Sequence, residues 1–230
     1  MAEILRLSNN WKDASMKRVL TFLNSRVNWA VLCLILSMSA VAQDINYESG
    51  ANQNPFDNID EMTRELLVII DRHKDKYPDS EIEYFSDLNN LMTGFVDFNF
   101  VAKKVMGRYA RAADFNQRTR FVAAFRKGLV ETYGRGLMSY GDEQILIVNR
   151  QQLLEGERRL LVKQEIRGEA AVYPLHYLMY RKKSTGEWNI VNVTLNGINL
   201  SKTFASQFAN ASRKSSGNID LVIDNWLSGG

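Results

Sequence analysis

The hydrophobic period of this chain changes once, and the change decides its fold class. Up to Gly141 apolar residues recur every three or four positions, as in Phe56, Ile59, Met62, Leu66 and Ile70. After Gly141 they alternate, as in "RLLVKQEIRG", where Leu160, Val162 and Ile166 share one phase. The first pattern builds amphipathic helices and the second builds half-buried strands. Helices followed by closely connected strands imply an α+β domain. Its sheet is expected to be four-stranded and antiparallel, with helices layered on one face.

Local signals place the helices. Asn54-Pro55 reads as an N-cap and first helical residue, and the stripe continues through His73 to Tyr77, where Pro78 stops it. Ser80 and Glu83 form a capping-box pattern before Ile82, Phe85, Leu88 and Met92. Asp97 can cap a third helix carrying Val101, Val105, Met106 and Tyr109. Asp114 and Gln117 open a fourth, with Phe121, Phe125, Leu129, Tyr133 and Tyr140 on its stripe.

The strands follow as "EQILIVN", "RLLVKQEIRG", "VYPLHYLMYRK" and, after the loop in "KKSTGEW", the run from Trp188 to Leu195. Their inward phases read Leu146 and Val148; Leu160 and Val162; Leu175, Tyr177 and Met179; and Val191, Val193 and Leu195. Beyond Gly197 helical spacing returns at Leu200, Phe204 and Phe208, and a short helix from Ile219 to Leu227 closes the chain. The inward strand residues are expected to face Val101, Val105, Phe121, Phe125, Leu129 and Tyr133. Large aromatic residues converge from both layers. Periodicity does not decide between a solid core and an apolar cavity at that meeting point.

The first 42 residues read as a leader. Lys17, Arg18 and Arg26 precede the apolar run from Trp29 to Leu36, and Ala40-Val41-Ala42 is a cleavage signal before Gln43. Residues 1–15 are atypical of such a leader, which would start naturally at Met16. The run is too short to span a bilayer. Removing the leader removes the basic charge. Residues 1–42 hold Arg6, Lys12, Lys17, Arg18 and Arg26 against Glu3 and Asp13, so 29 basic and 26 acidic residues become 24 of each. A net charge of zero gives no electrostatic footprint for nucleic acid. Cys33, the only cysteine, lies in the leader, so the mature chain has neither disulfide nor thiolate chemistry. An exported domain without disulfides suits the bacterial periplasm. The organisation expected is a leader over 1–42, a polar tail over 43–53 and one domain over 54–230.

Catalytic patterns are absent from the sequence. It contains no G-x-S-x-G, H-E-x-x-H, P-loop or G-x-G-x-x-G. His73 falls on an apolar helix stripe and reads as a core-edge residue. His176 falls on the polar phase of a strand.

Five pieces in order resemble the toluene-tolerance family of periplasmic phospholipid-binding proteins, the MlaC type. "NPFDNIDEM" resembles the family's opening helix. "DFNFVAKKVMGRYARA" carries its signature at Asp97, Phe98, Val105, Met106, Gly107 and Tyr109. "QRTRFVAAFRKGLVETYGRGL" matches at Gln117, Arg118, Phe121, Phe125, Arg126, Leu129 and Tyr133. "GEWNIVNVTLNGINL" and "GNIDLVIDNWL" resemble the strand-turn and the closing helix. The chain departs from the pattern at Asn192, Asn199, Ala205 and His176, where the family has Asp, Ser, Arg and Asp. Family polar contacts at those positions are therefore in question, while the apolar pattern is intact.

The resemblance implies a fold of the nuclear-transport-factor/cystatin kind with an apolar cavity between its layers. It implies no catalysis and no cofactor, with phospholipid bound as cargo by the inward residues named above. It further implies passage of glycerophospholipid between an inner-membrane ABC transporter and an outer-membrane lipoprotein–porin complex, maintaining outer-membrane asymmetry. Two other readings stand beside it. One is an enzyme of the same architecture acting on an apolar small molecule, which needs an acid/base pair among inward polar residues such as Gln164, Tyr173 and Tyr177. The other is a binding or inhibitor module with a solid core.

Overall fold

The computed structural model describes residues 54–226. The expected leader and tail lie outside them.

The helix α1 (Pro55–Lys74) starts at the cap seen in the sequence: Asn54 Oδ1 accepts the Phe56 amide at 3.0 Å. It ends before Tyr77, because residues 75–80 form a turn. The capping box expected at Ser80 does not form. Ser80 has φ −98° and ψ 25°, outside the extended region that a side-chain cap needs, and its Oγ lies 3.1 Å from His73 Nδ1 instead. His73 Nε2 lies 2.9 Å from Asp87 Oδ2. A buried histidine thus ties α1 to the next helix through two partners that the sequence pattern did not link to it. The hydrogen bond from His73, reinforced by Arg72 at 3.0 Å, holds the Asp87 carboxyl below its usual range.

In α2 (Glu81–Phe95) the buried residues are Tyr84, Leu88 and Leu91, whereas Ile82 is 83% exposed. The rotation is set by Tyr84, whose hydroxyl donates to the Gly134 carbonyl at 2.8 Å. Asp97 caps α3 (Phe98–Met106) by accepting the Phe100 amide at 2.9 Å. Tyr109 belongs to a separate short helix, α4 (Tyr109–Ala112). The capping box at Asp114 and Gln117 forms in both directions, at 2.7 and 3.0 Å, and opens α5 (Phe115–Leu137). Tyr140 lies beyond the end of α5.

The sheet has five antiparallel strands in the order β1 (Gln144–Ile147), β2 (Arg159–Arg167), β3 (Val172–Arg181), β4 (Trp188–Leu195) and β5 (Ile198–Asn199). The fifth strand is two residues long, too short to show a period. It follows a tight turn in which Asn196 and Gly197 have φ of 48° and 81°. The helices α6 (Leu200–Lys214) and α7 (Ile219–Asp224) complete the chain.

Helix α1 lies on the inner face of the sheet. Phe56, Ile59 and Met62 pack with Leu160, Val162, Tyr177, Met179, Trp188 and Ile190. Tyr177 donates to Gln164 Oε1 at 3.1 Å, and Gln164 Nε2 donates to Thr63 Oγ1 at 3.0 Å, so the buried Gln164 carboxamide is paired at both ends. A second core joins α3, α5, α6 and α7 around Val105, Phe121, Phe125, Phe208 and Val222. The outer face of the sheet carries Leu161, Lys163 and Glu165.

Two register features change the expected strand phases. In β1, Ile147 pairs with Gln164 and Leu146 with Glu165, so Ile147 faces inward. Leu146 and Val148 face outward at 40% and 44% exposure. "QILI" is apolar on both phases, and only its partner strand settles which side is buried. In β4, Leu178 pairs with Asn192 but Met179 with Ile190, leaving Val191 as the extra residue of a bulge. Trp188 and Ile190 therefore join the inner face ahead of the bulge, and Val193 joins it afterwards. Val191 is buried outside both cores and is not an inward residue of the expected series.

Candidate functional site

Helix α1 covers the middle of the sheet, so the central strands cannot meet α5 across a void. The space left is displaced toward β4. A cavity of about 190 Å³ lies between α2, α3, α5, α6 and the distal half of β4. Its buried wall includes Leu88, Val101, Phe125, Val130 and Ile190. Six of its eight half-exposed members fall in two rows. Leu129, Tyr133 and Leu137 are spaced by four on one side of α5, and Val193, Leu200 and Phe204 descend from β4 into α6. Helix α5 packs on α2, α3 and α7. The partial exposure of both rows puts the mouth between them.

Of the residues expected to line a cavity, Val101, Phe125, Leu129, Tyr133 and Val193 are brought together there. Val105 and Phe121 sit behind the wall in the helical core. Leu160, Val162, Tyr177 and Met179 are buried beneath α1, with Leu175 half-buried against them. Leu195 is half-buried beside β5, away from the wall, and Leu146, Val148 and Val191 are elsewhere, as described. The main omission is α2, whose Leu88 and Met92 form one side of the cavity. Both were visible as a helical stripe, but nothing local shows which helix α1 leaves uncovered. The wall from Leu200 to Phe204 is the segment in which helical spacing returns after Gly197.

The chemistry of the wall is apolar. Its side-chain polar groups are Asn192, Ser201 and the Tyr133 hydroxyl, whose pKa is raised by burial. Tyr177, one of the groups an acid/base reading would need, is enclosed under α1; burial pushes its pKa well above the usual tyrosine range. Among the described residues no group of three or more His, Cys, Asp or Glu side chains is arranged to hold a metal. No described helix is long and apolar enough to cross a membrane.

Fold and site together define an α+β protein with an apolar pocket that opens between a helix and the edge of a sheet. The family model described as MlaC protein matches residues 60–228, and the chain belongs to that family. It is 32% identical over 177 residues to toluene tolerance protein ttg2D of Pseudomonas putida, covering 76% of this chain and 81% of the relative. It is 20% identical over 167 residues to the intermembrane phospholipid transport system binding protein MlaC of Haemophilus influenzae, covering 72% and 78%. The fold matches that of a phospholipid-binding protein from Ralstonia solanacearum, solved in complex with a phospholipid. The TM-score is 0.68 at 17% identity, over 76% of this chain and 96% of that one.

Proposed function

We propose that this chain is a periplasmic phospholipid carrier. It takes up glycerophospholipid tail-first and passes it between an inner-membrane ABC transporter and an outer-membrane lipoprotein–porin complex. The observation that carries this reading is the apolar cavity with a half-exposed mouth. The names of the relatives and the lipid in the Ralstonia protein support it.

The energetics suit a carrier. Burial contributes about 0.8 kcal/mol per methylene relative to water, so two chains of roughly 30 methylenes resist escape into water by on the order of 20 kcal/mol. Transfer between a bilayer and an apolar cavity is close to balanced, because both are dry hydrocarbon. Release therefore requires an acceptor membrane or a docked partner rather than a reaction. The present cavity is small for this cargo: an engineered cavity of about 150 Å³ takes one benzene, so 190 Å³ holds about eight carbons. Loading must separate the two rows at the mouth.

The test is uptake. Purified protein is mixed with vesicles containing a phospholipid labelled on its acyl chain, then separated from them. Stoichiometric label on the protein supports the carrier. Label that stays with the vesicles, for protein shown to be folded and free of lipid, refutes it.

A further inference from the structure

The cavity wall contains two buried side chains with unused hydrogen-bonding capacity. Asn192 is 8% exposed, and its Oδ1 accepts the Ser201 amide at 3.2 Å. An amide N–H requires an acceptor, so this bond fixes the orientation of the carboxamide and leaves Nδ2 as a spare donor. Among the described residues Nδ2 has no partner, and neither does the hydroxyl of Ser201, which is 4% exposed. Buried groups of this kind are ordinarily paired. Asn58 Oδ1, Asn189 Oδ1 and Ser212 Oγ are sealed inside the protein without partners, but the two groups on the cavity are not sealed.

The spot therefore offers donors, and it sits at the start of the 15-residue helix α6, whose first turn adds partial positive charge. It calls for an electron-rich acceptor. A full charge would be costly in so apolar a site, whereas a carbonyl oxygen would not. Asn192 adjoins Val193, and Ser201 adjoins Leu200, both on the mouth. The head end of a chain inserted tail-first comes to rest at this depth.

We propose that Asn192 and Ser201 form a carbonyl-recognition subsite for the acyl group at the head end of the bound lipid. This rests on the carrier reading above. The same chemistry serves the ester carbonyl of a glycerolipid and the carboxyl of a free fatty acid. Recognition of this kind would make the site selective for acyl over alkyl lipids.

The experiment measures binding of three probes to delipidated full-length protein: dioleoyl phosphatidylglycerol, its di-O-alkyl analogue with the same headgroup and chain length, and oleic acid. Two neutral hydrogen bonds correspond to about a tenfold preference for the ester lipid over the ether lipid. Asn192→Asp is isosteric and, as the carboxylate, keeps the acceptor for the Ser201 amide and removes the donor; the charge it adds weakens both glycerolipids alike, so the ester-to-ether ratio isolates the lost bond. Ser201→Ala leaves the backbone bond in place and guards against a misfolded Asn192 variant. Each is expected to reduce the ester-to-ether ratio to within about threefold, on the loss of one or both bonds. Equal binding of ester and ether lipid, with oleic acid binding that falls in both variants, assigns the subsite to a free carboxyl. Equal ester and ether binding with oleic acid indifferent to both substitutions overturns the proposal. So does a preference for ester that survives both substitutions. Wild-type protein that binds none of the probes refutes the carrier reading itself, and the subsite with it.

Discussion

Replacing Val193 with tryptophan separates a cavity from a core. Val193 lies at the mouth, half-exposed, opposite Tyr177 in the sheet register. On the scale where about 150 Å³ accommodates one benzene, the roughly seven extra heavy atoms of the indole occupy most of the 190 Å³ present. Overpacking a solid core typically costs about 1–3 kcal/mol. For a domain of this size that corresponds to a melting temperature lower by roughly 2–12 °C. An indole entering an existing void displaces no side chain, and it buries apolar surface worth about 25 cal/mol per Å². Val193→Trp is therefore expected to melt within about 2 °C of wild type by the same conversion, while carrying much less phospholipid. The assays are a thermal melt and phosphorus per mole of protein purified from cells. A large fall in melting temperature would show that Val193 packs in a solid core. An unchanged melt with undiminished phosphorus would show that its side chain does not reach the site. Either result refutes the reasoning.

Other perturbations probe the frame around the cavity. Tyr84→Phe removes the hydroxyl that donates to the Gly134 carbonyl, and is expected to cost about 1 kcal/mol in a denaturant titration. A Cβ on Gly134 would stand 2.8 Å from Leu88 Cδ1 and 3.0 Å from Phe85 Cε1. Gly134→Val should therefore destabilise by about 1–3 kcal/mol, by displacing the Leu88 and Phe85 side chains of α2. The folded-state pKa of Asp87 is depressed, so its contribution is present above the unfolded carboxylate value near 4 and is lost as pH falls through the lower folded value. Wild type should accordingly be more stable than Asp87→Asn at neutral pH, with the difference shrinking in acid below about pH 4; a constant difference across that range would contradict the assignment.

Local signals were the most legible in the sequence. Asn54, Asp97 and the Asp114–Gln117 pair cap their helices as their residue types require, because a cap involves only neighbours in the chain. The switch of period at Gly141 marked the passage from helices to sheet. What could not be read was decided between distant segments. The phase of "QILI" depended on β2, and the bulge at Val191 lay in a run with apolar residues on both faces. Ser80 looked like a cap but serves His73. Above all, Phe56, Ile59 and Met62 place α1 on the sheet, turning the expected wall of Leu160, Val162, Tyr177 and Met179 into solid core. The cavity then falls to Leu88, Met92 and the β4–α6 corner. An amphipathic helix announces that it has a buried face, but not which neighbour it will cover.

The central claim is that this chain holds phospholipid in the cavity beside β4. Native mass spectrometry of the protein isolated from its own cells, under conditions that preserve non-covalent complexes, tests it most directly. A carrier gives a species heavier than the chain by the mass of a glycerophospholipid, which is released on collision and depleted in Val193→Trp. Only the bare mass, for protein isolated folded and without detergent, would contradict it.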